Sequence, residues 1–92
     1  MIQHLNITLY GQVQGVFLRR TVEHEANRRG IVGCVRNEPD GTVYVESEAE
    51  EATLKKFVEW LKAGASGGGD FQIAQVEIEE GTFKAFSEFE IR

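Results

Sequence analysis

The sequence has one cysteine, one proline and no long apolar segment among its 92 residues. Cys34 alone cannot form an internal disulfide, which fits the reducing environment of the cytoplasm. No apolar run approaches the roughly 20 residues that a membrane-spanning helix requires. Residues 1–11 also lack the basic and then apolar pattern of a secretory signal. We therefore expect a single domain over residues 1–92, located in the cytoplasm and without a membrane partner.

Positive charge is also scarce, because 10 lysines and arginines stand against 15 acidic residues and the formal net charge is −5. This balance argues against the attraction to a phosphate backbone that non-specific nucleic-acid binding uses. The charge is uneven, since residues 1–37 hold five arginines and only two glutamates. Those arginines are Arg19, Arg20, Arg28, Arg29 and Arg36. The pattern favours a small anionic ligand over a nucleic acid, and Arg20 and Arg36 are expected to be surface charges near its site.

The first half of the chain has the periodicity of a strand, a helix and a hairpin. Residues 5–9 alternate apolar and polar side chains, which predicts a half-buried strand. Apolar residues then recur every four positions from Leu18 to Ala26, which predicts an amphipathic helix that ends at Gly30. Residues 31–48 carry two β-branched segments around the turn sequence EPDG, which predicts a β-hairpin.

The second half predicts another helix, a loop and two strands. Residues 50–63 have the i, i+3, i+4, i+7 spacing of an amphipathic helix, with apolar positions Leu54, Phe57, Val58 and Leu61. The sequence SGGG at residues 66–69 predicts a loop, because it cannot hold regular structure. Ala74, Val76 and Ile78 alternate with polar residues, which predicts a fourth strand, and the ending FEIR predicts a terminal one.

The resulting order is β-α-β-β-α-β, with a short further strand near the end. This is the order of the split βαβ, ferredoxin-like fold of the α+β class. It predicts an antiparallel sheet with both helices packed on one face. The glutamates of residues 46–51 and 77–80 are expected to be solvated on strand ends and faces.

The segment GQVQGVFLRR, residues 11–20, combines two glycines and two arginines between the first strand and the first helix. Glycine tolerates the positive φ that lets successive backbone N–H groups point into one concavity, and the helix N-terminus adds partial positive charge. Arg19 can direct a planar set of donors at the same anion. The ending G-K-[ST] of a Walker A loop is missing, which disfavours nucleoside triphosphate hydrolysis. The residues alone are compatible with two interpretations of this segment. It is either a loop that binds a phosphoryl group or a tight turn with solvated arginines.

Two stretches of the chain resemble the paired signature of the acylphosphatase family. They are G-x-V-Q-G-V-F-x-R at residues 11–19 and G-x-V-R-N-x-x-D-G at residues 33–41, and the ending FSEFEIR is similar to that family's last strand. The resemblance implies a ferredoxin-like enzyme that hydrolyses acyl phosphates to a carboxylate and inorganic phosphate without metal or cofactor. It implies that Arg19 binds the phosphate and that Asn37 positions the attacking water. The implied phosphate cradle is the backbone of Gln14, Gly15, Val16, Phe17 and Leu18.

The sequence departs from the family pattern at two positions. Leu18 stands where phenylalanine is more frequent, and Cys34 stands where tryptophan is common. Both residues remain apolar, so we expect an effect on packing. His4 and His24 show no ligand spacing with each other or with Cys34, and a cysteine in a strand is usually a small apolar side chain. We therefore expect neither a metal site nor a reactive thiol.

The alternative function is a non-catalytic module that binds phosphate or another anion on the same fold. Such a module would bind phosphate tightly and leave acyl phosphates intact. Asn37 beside Arg19 favours the enzyme, because an anion site alone has no need of a residue that positions water. We expect a monomer whose partner is the small-molecule substrate.

Overall fold

The computed structural model describes residues 1–66 and 70–92 and contains five strands and two helices within them. In chain order the elements are β1 (Ile2–Gln12), α1 (Val16–Arg28), β2 (Val32–Asn37), β3 (Val43–Glu50), α2 (Glu51–Lys62), β4 (Gln72–Glu80) and β5 (Phe89–Ile91). Of the loop predicted at residues 66–69, Gly67, Gly68 and Gly69 lie outside the described residues. Neither of these helices is long and apolar enough to cross a membrane.

The strands form one sheet in the order β4-β1-β3-β2-β5. The pairs β1–β3, β1–β4 and β2–β3 are antiparallel, as predicted. The fifth strand, β5, instead pairs in parallel with β2, so the predicted antiparallel sheet is mixed at this edge. The chain leaves β4 at one edge of the sheet, reverses, and enters the opposite edge beside β2. Because β2 also runs opposite to β4, the returning strand is parallel to it.

Both helices contribute to one apolar core against the same face of the sheet. α1 buries Leu18, Val22 and Ala26, and β1 buries the alternate residues Leu5, Ile7 and Leu9. α2 buries its four predicted apolar residues, Leu54, Phe57, Val58 and Leu61. Burying a large aliphatic or aromatic side chain stabilises the fold by about 1.5–3 kcal/mol. The spacing of apolar residues therefore predicted the inner faces of β1, α1 and α2 correctly.

The inner face of β4 is shifted by one residue from the prediction at its N-terminal end. Gly11 of β1 pairs with Ile73, whereas the preceding Tyr10 pairs with Gln75, so Ala74 is the extra residue of a β-bulge. Ile73 and Val76 pack against the core, whereas Ala74 is exposed. The bulge reverses the alternation of side chains, so Ile73 takes the inner position predicted for Ala74.

Residues 81–88, named here the crossing segment, pass over the face of the sheet opposite the helices. The backbone N–H of Gly81 donates to the carbonyl of His4 in β1, and the ring of Phe86 stacks on the His4 imidazole at 6.2 Å between centroids. The crossing segment covers two glutamates of β3, since Glu46 is 4% exposed and Glu48 is 1% exposed. The prediction that the glutamates of residues 46–51 are solvated is therefore wrong for these two.

The buried carboxylate of Glu48 is held by donors from β1 and from the crossing segment. His4 Nδ1 lies 2.7 Å from Glu48 Oε2, and the backbone N–H groups of Lys84 and Phe86 donate to Oε2 at 2.5 Å and to Oε1 at 3.0 Å. Beside it, Lys84 Nζ donates to Glu46 at 2.6 Å. Buried charges are stable only when paired and hydrogen-bonded. Burial by itself would raise the pKa of Glu48, but these donors outweigh it and lower that pKa.

Candidate active site

One end of the sheet brings together the two parts of the predicted site. β1 and β2 run in the same direction with β3 antiparallel between them, so both end where β3 begins. Leu9 of β1 pairs with Val43 of β3, and Val43 pairs with Asn37 of β2. β1 leads through residues 13–15 into α1. The N-terminus of α1 and Asn37 therefore lie at the same end of the sheet.

The two glycines of the opening motif have different structural roles. Both have positive φ, 126° at Gly11 and 139° at Gly15. A Cβ on Gly11 would lie 2.4 Å from the carbonyl oxygen of Gln72, so only glycine allows β1 to approach β4 this closely. A Cβ on Gly15 would meet no atom within 4 Å, so the backbone conformation alone requires glycine there. Gly15 therefore shapes the entry to α1, whereas Gly11 fits β1 against β4.

The five cradle residues form the entry and first turn of α1. Gly15 is the N-cap, and within the described residues no side chain caps this end and no acidic residue lies in the first turn. The first N–H groups of a helix have no acceptor within the helix and give its N-terminus partial positive charge. Phe17 is exposed and Leu18 is buried, so Leu18 anchors this turn in the core. The exposed end of α1 is suited to an anion.

Arg19 adds a full positive charge to the positive end of α1. Its Nε lies 3.5 Å from the carbonyl oxygen of Gly15, so the guanidinium folds back over the start of the helix. A cation is unfavourable at this end of a helix dipole, and the exposed Arg20 follows it directly. A bound anion would relieve this repulsion. The local electrostatics therefore favour an anionic ligand at the N-terminus of α1.

Three of the five arginines in residues 1–37 have acidic partners elsewhere. Arg28 and Arg29 both pair with Glu25, at 2.5 Å and 2.6 Å, in the C-terminal half of α1. Arg36 contacts Glu38 at 3.4 Å and its guanidinium lies over the ring of Tyr44 at 4.7 Å, on the face of the sheet opposite the helices. Neighbouring residues of a strand point to opposite faces, so Arg36 points away from the face to which Asn37 points. We expected Arg36 to be a surface charge, and its ion pair with Glu38 agrees with that expectation.

Asn37, the last residue of β2, is half-buried and lies on the helix side of the sheet. Its Oδ1 atom is buried and has no hydrogen-bond partner within residues 1–66 and 70–92. A buried polar atom left without a partner usually costs about 1–3 kcal/mol, so such atoms are rare in native structures. Within the described residues, this amide oxygen therefore keeps an acceptor position that no protein group uses.

The side chain of Gln14 connects the two parts of the site. Its Nε2 donates to the carbonyl oxygen of Glu38 at 2.6 Å and to that of Thr42 at 3.0 Å. These two residues flank Asn37 and Val43, which form the last pair of the β2–β3 hairpin. The resemblance gave Gln14 a backbone role only. Its side-chain contact was missed because no periodicity or spacing in the sequence signals a bond between residues so far apart.

We expected neither a metal site nor a reactive thiol from His4, His24 and Cys34. These three residues lie away from this end of the sheet. Among the described residues, no group of three or more His, Cys, Asp or Glu side chains could hold a metal ion. His4 is buried against Glu48, and His24 is exposed on α1. Cys34 is buried, and burial and then the charge of Glu46 raise the pKa of its thiol. A raised thiol pKa disfavours the nucleophilic thiolate.

Comparisons with known proteins find a family model, curated relatives and solved structures that carry the same family name. A model of the acylphosphatase family matches residues 5–91. An acylphosphatase of Nocardioides sp. is 36% identical over 88 residues, which are 96% of this chain and 86% of that protein. The crystal structure of an acylphosphatase from Bacillus subtilis has a TM-score of 0.87 and 32% identity, covering 100% of this chain and 99% of the other. An acylphosphatase structure from Coxiella burnetii has a TM-score of 0.88 and 28% identity, covering 99% and 93%.

Proposed function

The chain belongs to the acylphosphatase family and is a hydrolase, and we propose that Arg19, Asn37 and the backbone of residues 14–18 carry out its reaction without a metal or cofactor. The substrate is a small-molecule acyl phosphate. Water attacks the phosphorus atom, the bond from phosphorus to the acyl oxygen breaks, and a carboxylate and inorganic phosphate are released.

The first part of the proposal is that the N-terminus of α1 and Arg19 hold the phosphoryl group. Support comes from the uncapped N-terminus at Gly15 and from the guanidinium that folds over it. Backbone N–H donors and an arginine fork are the groups that bind phosphoryl oxygens in many proteins. Because these donors are fixed before substrate arrives, they stabilise the charge of the transition state without reorganisation.

The second part is that Asn37 positions the attacking water. The observation that carries it is the buried Oδ1 of Asn37, which lacks a partner within the described residues and lies at the same end of the sheet as the start of α1. An amide can orient a water molecule and is neutral, whereas a carboxylate would repel the anionic substrate. The proton released by the water passes to a phosphoryl oxygen of the substrate.

The chemistry requires few protein groups. The leaving group is a carboxylate, and carboxylic acids have pKa values near 4, so it departs at neutral pH without a general acid. Attack by water also removes the need for a nucleophilic side chain. A backbone cradle, one guanidinium and one amide are therefore sufficient for the reaction.

We further propose that the chain acts as a cytoplasmic monomer, with residues 1–92 as one domain and with no nucleic-acid partner. Its formal net charge of −5 disfavours contact with a polyanion. Size-exclusion chromatography with light scattering tests the oligomeric state, and a mass of about twice the 10.3 kDa of the chain would contradict the monomer.

Hydrolysis of benzoyl phosphate at neutral pH in the presence of EDTA tests the proposed function. Wild-type protein should turn over the substrate with EDTA present, and Asn37→Ala should lower kcat by about 100-fold, the size of effect seen when one positioned polar group is removed from an active site. Asn27→Ala, in the exposed part of α1, is the matched control and should leave kcat within about twofold.

Three results would contradict the proposal. Turnover abolished by EDTA and restored by a divalent cation would mean that the reaction depends on a metal. A folded wild-type protein that binds inorganic phosphate and leaves benzoyl phosphate intact would be the anion-binding module. Full activity in Asn37→Ala would remove the role assigned to this residue.

A further inference from the structure

The carboxamide of Gln14 makes two hydrogen bonds that cross the candidate active site. Nε2 lies 2.6 Å from the carbonyl oxygen of Glu38 and 3.0 Å from that of Thr42. Carbonyl oxygens only accept hydrogen bonds, so the atom that faces them is the NH₂ group of Gln14. Nε2 therefore donates to both carbonyl oxygens.

The two carbonyls belong to the turn of the β2–β3 hairpin, which is held by several hydrogen bonds of its own. The N–H of Glu38 donates to the Thr42 carbonyl at 2.9 Å, and the N–H of Gly41 donates to the Glu38 carbonyl at 3.1 Å. Asp40 accepts from the N–H and the hydroxyl of Thr42, at 3.0 Å and 2.6 Å. The turn of residues 38–42 is therefore cross-linked by its own hydrogen bonds. Any contact that holds this turn also holds the adjoining end of β2.

Asn37 is directly joined to that turn. It precedes Glu38 in the chain, and its pairing partner Val43 follows Thr42. Gln14 lies on the other side, next to Gly15, the N-cap of α1. Within the described residues, residues 11–19 and residues 37–43 are linked by two hydrogen bonds, and the Gln14 side chain donates both of them.

We propose that Gln14 is a positioning residue that sets the distance between the phosphate cradle and Asn37. This inference rests on the proposed function, in which the cradle holds the phosphoryl group and Asn37 holds the water. An in-line attack requires the two to be fixed relative to each other, and a misplacement of 1 Å can slow a reaction by about 100-fold. The backbone of Gln14 contributes to the cradle, whereas its side chain acts on the catalytic step through Asn37.

The test compares Gln14→Met with wild type. Methionine keeps the length of the side chain and removes both donors. We expect kcat for benzoyl phosphate to fall by about tenfold, while KM and the inhibition constant of inorganic phosphate stay within about twofold. Binding is spared because the backbone of the cradle and Arg19 are unchanged. Gln12→Met, at the exposed end of β1, is the matched control and should behave as wild type.

A double-mutant cycle separates positioning from a general structural role. If Gln14 acts through Asn37, then Gln14→Met in the Asn37→Ala background should leave the remaining kcat unchanged within about twofold. If the two reductions multiply, Gln14 acts independently of Asn37 and the inference is wrong. It is also wrong if Gln14→Met raises KM alone or leaves kcat unchanged.

The cycle also distinguishes this inference from the proposed function. A wild-type protein without turnover, or an Asn37→Ala variant with full turnover, contradicts the proposed function, and the role of Gln14 falls with it. Turnover in wild type with loss in Asn37→Ala upholds the proposed function, and the Gln14 variants then decide the inference alone. Circular dichroism of each variant tests whether a loss of activity arises from unfolding.

Discussion

Arg19→Ala is expected to lower kcat/KM for benzoyl phosphate by about 1,000-fold, because arginines that stabilise a transferring phosphoryl group contribute effects of this order or more. Arg19 is the side-chain cation at the uncapped start of α1, where its Nε lies 3.5 Å from the Gly15 carbonyl. Removing it leaves only backbone N–H groups to stabilise the phosphoryl charge. The substitution also relieves the repulsion between the guanidinium and the helix dipole, so stability should be unchanged or slightly higher.

Two further variants sharpen this prediction. Arg20→Ala removes the neighbouring exposed charge and should change kcat/KM by less than about threefold, since a single exposed charge acts mainly through screened long-range attraction. Arg19→Lys keeps the charge and loses the planar fork, so it should recover only part of the activity. Steady-state kinetics, with inorganic phosphate as a competitive inhibitor, measures both effects. Equal losses in Arg19→Ala and Arg20→Ala would show that net charge, rather than one positioned guanidinium, binds the substrate.

The parts of the fold that follow a local period could be predicted from the sequence. Alternation located β1, and the four-residue recurrence from Leu18 to Ala26 located the inner face of α1. The parallel pairing of β5 and the bulge at Ala74 could not be predicted in this way. The parallel pairing depends on the path of the chain after β4, and the bulge depends on a one-residue mismatch between β1 and β4. Neither feature produces a periodic pattern in the sequence.

The burial of Glu46 and Glu48 could not be predicted for a related reason. The pattern of β3 correctly places these residues on the face opposite the helices, and that face is normally solvated. The crossing segment covers it, but its residues have no strand or helix period that would indicate this route. The route becomes apparent only from the bonds of Lys84 and Phe86 to Glu48.

The candidate site was predicted in outline through motif resemblance. Periodicity placed the glycines and Arg19 at the start of a helix, but Asn37 received a role only from the resemblance. The hairpin register then brings Asn37 to the end of β1 through Val43. The Gln14 contact leaves no signal in the sequence, because a glutamine between two glycines is equally compatible with a solvated loop.

Glu48→Gln is expected to lower the free energy of unfolding at pH 7 by about 3 kcal/mol, within the range for removing one partner of a buried, hydrogen-bonded charge pair. Both carboxylate oxygens accept hydrogen bonds, Oε1 from Phe86 and Oε2 from Lys84 and His4. In glutamine, one of the two oxygens is replaced by an NH₂ group that must face an N–H donor. The neighbouring Glu46 and Lys84 side chains remain paired with each other.

The stability difference between wild type and Glu48→Gln should depend on pH. The donors lower the pKa of Glu48 in the folded protein below the ordinary value for a glutamate. Folding therefore gains stability from this carboxylate above the unfolded pKa, and that gain is lost as pH falls through the folded pKa. The difference should thus be largest at neutral pH and shrink below about pH 4.5. Urea unfolding monitored by circular dichroism from pH 7 to pH 3 measures it.

The exposed Glu79, on the same face of the sheet, provides the control for this measurement. Glu79→Gln should change the free energy of unfolding by less than about 0.5 kcal/mol at any pH, as is usual for surface positions. The turnover of folded Glu48→Gln should equal that of wild type, because Glu48 lies on the opposite face from Asn37. A difference between wild type and Glu48→Gln that stays constant from pH 7 to pH 3 would mean that lost packing, rather than lost charge, destabilises the variant. In that case the crossing segment is not held by an ionised Glu48.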